Sequence, residues 1–365
     1  MGTEEHRFPC DNCGADFRFA PGEDQLVCDH CGNTRAIESG PWSRSEAVVE
    51  LDLVSALRAG KGTAEMEETR TSTCPNCGAR TEFDAAVHAK ECPFCATPVV
   101  TDTGTSRQIK PAAVLPFVLD EGEARAAMTG WLGSLWFAPN GLMDYARKGR
   151  KMSGVYTPCW TFDADTQSSY RGQRGTVYHE RRTVMRNGKR ETINVPKIRW
   201  RSVSGRVSRF FDDVLVVAST ALPDRFRQGL VHWDLTRLEP YQPEFLAGFR
   251  AEAYTIELED AFREARDIMD RQILRDVKFD IGGDRQQVED VDTKLSDMTF
   301  KHILAPVWIA AYKFRGRSFR FVVNGQTGQV TGERPWSAWK ITFAVIAGLI
   351  IAAIAGYLYA QGQAG

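Results

Sequence analysis

The chain has 365 residues, of which 43% are hydrophobic and 25% charged, with a formal net charge of -1. These ordinary proportions mean that most of the chain should fold around real cores rather than stay disordered, and its length suits one large or two to three smaller domains. The small net charge hides a segregation. Residues 1–104 carry nine Lys/Arg against eighteen Asp/Glu, and residues 145–210 carry sixteen against four. Residues 211–300 then carry eleven against twenty, and 301–340 seven against one. Such blocks bear on partners and orientation rather than on fold.

The opening "MGTEEHRFPC" has neither a basic start nor an apolar run, so no secretory signal is expected. A myristoylation signal would need Ser or Thr where His6 stands. The nine cysteines are therefore expected to be reduced and available as thiolate ligands. Eight of them form two copies of one pattern. Cys10-x2-Cys13 is followed after fourteen residues by Cys28-x2-Cys31, and Cys74-x2-Cys77 after fourteen by Cys92-x2-Cys95. Two knuckles, each offering two thiolates from a tight turn, supply the four sulfurs of a tetrahedral Zn2+ site. Gly14, Gly32 and Gly78 follow a second cysteine, where the turn needs backbone freedom; Ala96 stands there in the last knuckle. The spacing predicts two structural zinc ions, in ribbons over residues 1–40 and 71–104. A closed set of four thiolates leaves no coordination position for a substrate. His30 and His88 are then surface residues or outer partners, and Cys159 in "YTPCW" is a buried small apolar residue. The acidic balance of residues 1–104 favours a protein partner over nucleic acid, because phosphate contact needs clustered Lys and Arg.

Residues 41–70 read as a linker with a short helix ending near Gly60. "GTAEMEETRTST" and "TDTGTSRQ" read as exposed linker segments. An α+β body is expected over 105–335. Asp120 with Glu123 three residues on predicts a capped helix through about Phe137, with Trp131, Leu135 and Trp136 on its apolar side. "RTVMRNGKRETINV" is a hairpin signal with Asn187-Gly188 at its turn. "RFFDDVLVVAS" reads as a buried strand. "IELEDAFREARDIMDRQILRDV" reads as an amphipathic helix with Ile256, Phe262, Ile268 or Met269, and Ile273 near one face. The chain then returns to strands in "HILAPVWIAAYKF", "SFRFVVNG" and "QVTGE".

No GxxxxGK[ST], HExxH, GxSxG or GxGxxG motif occurs, so no enzyme is expected. Asp212-Asp213 could hold a divalent ion but reads better as a solvated or hydrogen-bonded turn, and Asp280 and Asp284 around Gly282-Gly283 read as a β-turn. The basic block from 145 to 210 is either a solvated sheet surface or a surface held against anionic lipid or an acidic partner.

Ile341 to Ala360 is twenty residues without a charge, matching the roughly 30 Å hydrocarbon core of a bilayer. Trp336 and Trp339 precede it, and Tyr357 and Tyr359 lie near its far end, where aromatic rings favour the interfaces. A span over 336–360 with a short tail 361–365 is predicted. Arg315, Arg317, Arg320, Arg334 and Lys340 on its N-terminal side keep the bulk of the chain in the cytoplasm, at the inner membrane, by the positive-inside rule. Ala344, Gly348, Ala352, Gly356 and Ala360 recur at every fourth position, a stripe of small residues suited to helix pairing in lipid.

The paired CxxC ribbons, with "GVYTPCWTFDA", "FFDDVLVVAS", "YQPEFLAGFRAEAY" and "APVWIAAYKFRGRSFRFVVNGQTGQVTGERPWS", resemble a bacterial family containing a transcription-factor-IIB-type zinc ribbon and a C-terminal membrane anchor. That family more often has an aromatic residue at the position of Cys159. The resemblance implies a membrane-stress role beside an SPFH-domain partner and phage-shock-protein-A-like factors. Relatives are also labelled primosomal protein N′, a superfamily II helicase, but the phosphate loop of a helicase is missing here. The expectation is a multidomain chain: two small four-cysteine zinc ribbons, an α+β body rich in antiparallel strands, and one C-terminal transmembrane helix. Its expected function is that of a tail-anchored adaptor that recruits a protein partner to the bilayer. A membrane-tethered nucleic-acid-binding protein of replication or repair is the alternative.

Overall fold

A computed structural model describes residues 8–37, 48–59, 66–82, 89–95, 97–100, 104–136, 152–186, 189–230, 232–314, 317–333 and 337–363. In chain order the elements begin with β1 (Phe17–Phe19), β2 (Gln25–Cys28), β3 (Thr34–Ala36), β4 (Leu51–Asp52) and α1 (Leu53–Ala59). Next come β5 (Met66–Thr73), β6 (Arg80–Glu82), β7 (Ala89–Glu91), β8 (Pro98–Val100), β9 (Gly104–Ile109) and β10 (Ala113–Val114). The body continues with α2 (Glu121–Gly133), β11 (Ser153–Arg186), β12 (Lys189–Val217), α3 (Asp224–Leu230), β13 (Glu239–Pro240) and β14 (Arg250–Ala251). It closes with α4 (Leu258–Ile281), β15 (Arg285–Phe314), β16 (Arg317–Asn324), β17 (Val330–Gly332) and α5 (Ala338–Gln363).

Three strands of unusual length organise the body. β11 pairs antiparallel with β12 from Cys159↔Val217 to Arg186↔Lys189, with one bulge between Phe162 and Ala164. On its other edge β11 pairs antiparallel with β15 from Ser153↔Ile309 to Gly175↔Arg285. The expected hairpin is therefore present but far longer than its turn signal suggested; Asn187 and Gly188 lie outside the described residues. The short strands β10, β13, β14 and β4 and the pair β16–β17 complete a nine-stranded mixed sheet at the Ser153 end.

α2 begins as its sequence signal requires. Asp120 accepts from the Glu123 amide, and the Glu123 side chain accepts from the Asp120 amide, satisfying two orphan donors of the first turn. α4 starts with Glu259 and Asp260 in its first turn, where carboxylates suit the positive end of the helix dipole. Its buried stripe is Leu258, Ala261, Ala265, Met269, Ile273, Val277 and Ile281. The choice between Ile268 and Met269 thus falls on Met269, 1% exposed, while Ile268 and Phe262 pack at the margin. The stripe covers the side of β11 that carries even-numbered residues. Phe162 meets Phe262 at 5.5 Å between ring centroids, and Tyr170 Oη donates to Asp280 at 2.5 Å. The opposite side, with Asp165, Gln167, Ser169 and Arg171, is exposed.

Two stretches expected as exposed linker are strands. β5 pairs antiparallel with β9 from Met66↔Ile109 to Thr71↔Gly104, and β6 joins β5 on its other edge. β4, in the expected linker 41–70, enters the body sheet through Leu51↔Phe300. Nor are the cysteine modules separate beads. Phe19 packs on Phe245 at 5.4 Å and on Phe249 at 6.4 Å, and the Phe19 amide donates to Ala247 O. The Ala253 amide donates to Arg80 O, and Phe94, fully buried, shares a core with Val155, Leu222 and Phe226. Sharing a core is how two small modules obtain burial they lack alone, at roughly 1.5–3 kcal/mol per large apolar side chain.

Candidate metal centres, the basic ribbon and the apolar helix

Four short loops present the eight paired cysteines in one recurring way. The amide of Cys10 donates to Ala15 O, Cys28 to Asn33 O, Cys74 to Ala79 O and Cys92 to Thr97 O, closing each knuckle. Gly14, Gly32 and Gly78 take φ of +74°, +73° and +74°, the left-handed conformation the turn demands. Ala96 lies outside the described residues.

The loops bring Cys10, Cys13, Cys28 and Cys31 together, and likewise Cys74, Cys77, Cys92 and Cys95, with all four sulfurs of each set within 4.8 Å of one another. Cys10 Sγ lies 3.6 Å from Cys31 Sγ, and Cys13 Sγ 3.5 Å from Cys28 Sγ. The matching distances in the second set are both 3.6 Å, for Cys74 to Cys95 and Cys77 to Cys92. A disulfide would bring two sulfurs to about 2.05 Å. Four sulfurs about 2.3 Å from a central ion stand roughly 3.8 Å apart along a tetrahedron edge, so both sets have the dimensions to hold a metal ion. Asn33 Nδ2 also approaches Cys10 Sγ at 3.6 Å, a donor of the kind that steadies a thiolate. Cys13 and Cys31 are exposed, whereas Cys74, Cys92 and Cys95 are buried, so the second centre is the more enclosed.

His30 is exposed, and His88 lies outside the described residues. Cys159 is fully buried; burial pushes its thiol up, and its sulfur lies 3.8 Å from Thr157 O.

Asp212-Asp213 sits at the bulge of β12 rather than in a turn, with Asp213 at φ +52°. Asp163, Asp212 and Asp213 approach closely enough to suggest a cation site. A cation is already there. Lys301, 6% exposed, puts Nζ 2.7 Å from Asp213 Oδ1, 2.9 Å from Glu50 Oε1 and 3.7 Å from Asp163 Oδ2. Thr299 Oγ1 lies 2.8 Å from Glu50 Oε2 and 3.1 Å from Asp163 Oδ2, so its single proton serves one carboxylate at a time. Burial opposes the Lys301 charge, but the Asp213 and Glu50 partners outweigh it and hold the ammonium protonated. The cluster pins β4 to β15. It went unread in the sequence because Glu50 and Lys301 are 251 positions apart.

Two further buried titratable groups, Glu252 and His302, line one small cavity with Gln108 and Tyr241. Burial raises Glu252 to about 8, against a Ser219 Oγ donor at 2.6 Å. Burial lowers His302 to about 4, while its Nδ1 lies 2.7 Å from Ile109 O. In both cases burial favours the uncharged form.

Past Gly175, β15 has ended and, among the described residues, β11 and β12 alone continue, as a two-stranded ribbon from Thr176↔Arg199 to Arg186↔Lys189. Residues 176–199 carry seven Lys/Arg against two Asp/Glu, so the ribbon is the centre of the basic block. α5 leaves the body at the other end. Lys340 Nζ donates to Trp136 O, and the preceding strand β17 pairs at the level of Phe321, beside Ala310 of β15. Roughly 100 Å of extended strand separates Gly154 from Arg186. α5 is long and apolar enough to cross a membrane, and among the described residues nothing buries its apolar window. Ala344, Gly348, Ala352 and Gly356 of the small-residue stripe are exposed; the side chain of Ala360 lies outside the described residues.

No protein-family profile and no solved structure matches the chain. It is similar to the uncharacterized protein YdjG of Bacillus subtilis (strain 168), with 27% identity over 346 residues, which is 93% of this chain and 94% of that protein.

Proposed function

We propose that the chain is a membrane-anchored adaptor that recruits a protein partner to the cytosolic face of the inner membrane, with one structural Zn2+ in each cysteine cluster. The observation that carries this reading is the position of the two sulfur sets between short loops and the body core. Each set is closed by four cysteines, and each lies beside side chains shared with the central sheet. Metal held there stiffens a surface instead of presenting an open coordination position to a substrate. Zinc is preferred because four thiolates in a tetrahedral set suit a redox-inert ion. The reading has no catalytic step.

Arg317 and Arg320 stand before the apolar helix and Lys340 lies in its first turn, while residues 341–365 carry no charged side chain, which supports a cytosolic body. The small-residue stripe of α5 supports pairing with a second copy or with a partner's span. Replacing Gly348 and Gly356 by Leu is expected to weaken association in a membrane two-hybrid assay. The resemblance to the zinc-ribbon family makes an SPFH-domain, membrane-stress protein the partner to seek.

A second reading, a membrane-tethered nucleic-acid-binding protein, is favoured by one observation, the surplus of cations on the ribbon. Purification of the full chain from native membranes in mild detergent, with and without nuclease, separates the two. A protein that stays bound after nuclease supports the adaptor. Replication proteins lost on digestion would overturn it.

A further inference from the structure

α4 shows how an acidic amphipathic helix sits on this strand pair. Residues 257–281 carry eight Asp/Glu against five Lys/Arg. The apolar stripe of the helix packs on the even side of β11 and the matching odd positions of β12, among them Val203 and Val207. Beside the stripe, Asp276 takes Arg209 of β12 in a two-pronged pair, and Asp280 takes Tyr170 Oη.

The helix then stops while the strand face goes on. Gly282 and Gly283, at φ +67° and +76°, turn the chain back into β15, and Arg174 Nε donates to Ile281 O at the helix end. Beyond that level the paired strands run on for about 35 Å, and among the described residues no further element covers the same side. The contrast is sharp in one residue type. Tyr170, under α4, is 5% exposed, while Tyr178, eight residues further along the same side of β11, is 38% exposed. Ile193, on that side of β12, is 37% exposed, with Val184 and Val195 half-buried near it. Arg182 shares the side, and the Arg199 guanidinium lies 5.0 Å from the Tyr178 ring centre.

We propose that this bare side of the ribbon is the docking site for an amphipathic helix of a partner protein, one whose apolar stripe is flanked by carboxylates, lying end to end with α4. The inference rests on the adaptor reading for the partner being a protein, and it names the surface and the chemistry of the contact. A helix covering about 35 Å has about 23 residues, close to the 24 of α4. Phosphate groups call for cations alone, whereas here Arg182 and Arg199 share the side with Tyr178, exposed Ile193, half-buried Val184 and Val195 and the Lys197–Glu180 ion pair. α4 meets a like mixture of Tyr170, Val203, Val207 and Arg209 on the same strands. Lipid is disfavoured by position, since α5 leaves the sheet at the end opposite the ribbon tip.

The test uses the full chain in detergent micelles and a fluorescent synthetic peptide with the sequence of α4, Leu258–Ile281. Saturable binding is expected, weakened about tenfold or more by the double change Arg182→Glu with Arg199→Glu. The control pair Arg181→Glu with Arg190→Glu, on the opposite side of the ribbon, should change affinity less than about twofold. Equal losses from both pairs would overturn the proposal. So would tighter binding of a 24-base-pair DNA duplex, or of phosphatidylglycerol vesicles, than of the peptide. Co-purification from membranes separates this inference from the reading beneath it. Protein partners retained by Arg182→Glu with Arg199→Glu would overturn the docking face and leave the adaptor standing. An unaltered chain that brings down no protein would remove the adaptor itself.

Discussion

Arg209 of β12 grips Asp276 of α4 with two nitrogens, Nε at 2.6 Å from Oδ2 and Nη2 at 2.9 Å from Oδ1. Gln272 Nε2 donates to the same Oδ1 at 3.1 Å. The bonds fasten the C-terminal half of the helix to the outermost strand of the sheet. The Arg209 hydrogen bonds, against some burial, hold Asp276 below the usual carboxylate range.

Asp276→Asn is therefore expected to cost about 0.5–1 kcal/mol, the range of a partly exposed pair. A carboxylate with a depressed folded pKa contributes its stability above its unfolded value near 4, and that contribution is lost as the pH falls through the folded value. Amide exchange in the last turns of α4 should be faster in the variant at pH 7 and equal to the parent's in strong acid. A difference that persists unchanged in acid would assign the effect to packing.

His302 carries a pH dependence of the opposite chemical type. Its folded pKa of about 4 lies below the unfolded value of about 6.5, so between them the unfolded chain binds the extra proton. Stability should fall as the pH drops from 6.5 towards 4. In His302→Gln that component should vanish, so the melting temperatures of the two full-length proteins should converge on acidification. A gap that stays constant from pH 7 to 5 would contradict the buried neutral imidazole.

Metal content offers a count. Elemental analysis of the full chain should give two zinc ions, and one in either Cys10→Ser or Cys74→Ser. Because Phe94 lies in the same core as Val155 and Phe226, loss of the second ion should also raise amide exchange in the Ser153 end of β11. Exchange confined to residues 66–100 would mean the module is held independently of the body.

Two glycines should respond with opposite signs. A Cβ at Gly172 would lie 2.4 Å from the Gln287 carbonyl oxygen and 3.0 Å from Ile281 Cδ1, where β11, β15 and α4 converge. Gly172→Ala should cost about 1–3 kcal/mol, read as faster proteolysis at the end of α4. Gly130, in α2, has nothing within 4 Å, so Gly130→Ala should stabilise by about 1 kcal/mol.

The sequence shows some of these features plainly and others barely. Metal knuckles are local, so eight cysteines in a duplicated spacing announce both clusters, and Asp120 with Glu123 announces α2. The long strands leave a weaker trace. Their buried positions under α4 are Thr166, Ser168, Tyr170 and Gly172, small or polar because the helix approaches closely, so the usual alternation of apolar and polar residues is absent. β5 is Met66–Thr73, with Glu67, Glu68 and Arg70, a composition that reads as linker until β9 appears beside it. Glu50 and Lys301 meet only through the fold.

The unbroken pairing of β11 with β12 past Gly175 makes the ribbon a ruler with a two-residue grain. Deleting two residues from each arm between Thr176 and Arg199 would shorten it by about 7 Å and leave every remaining side chain on its original side. Deleting one from each would shorten it by half as much and invert everything beyond the cut, exchanging Arg182 for Arg181. Reach and handedness are thus separable in this protein, and a partner's response to the two deletions would tell which of them it measures.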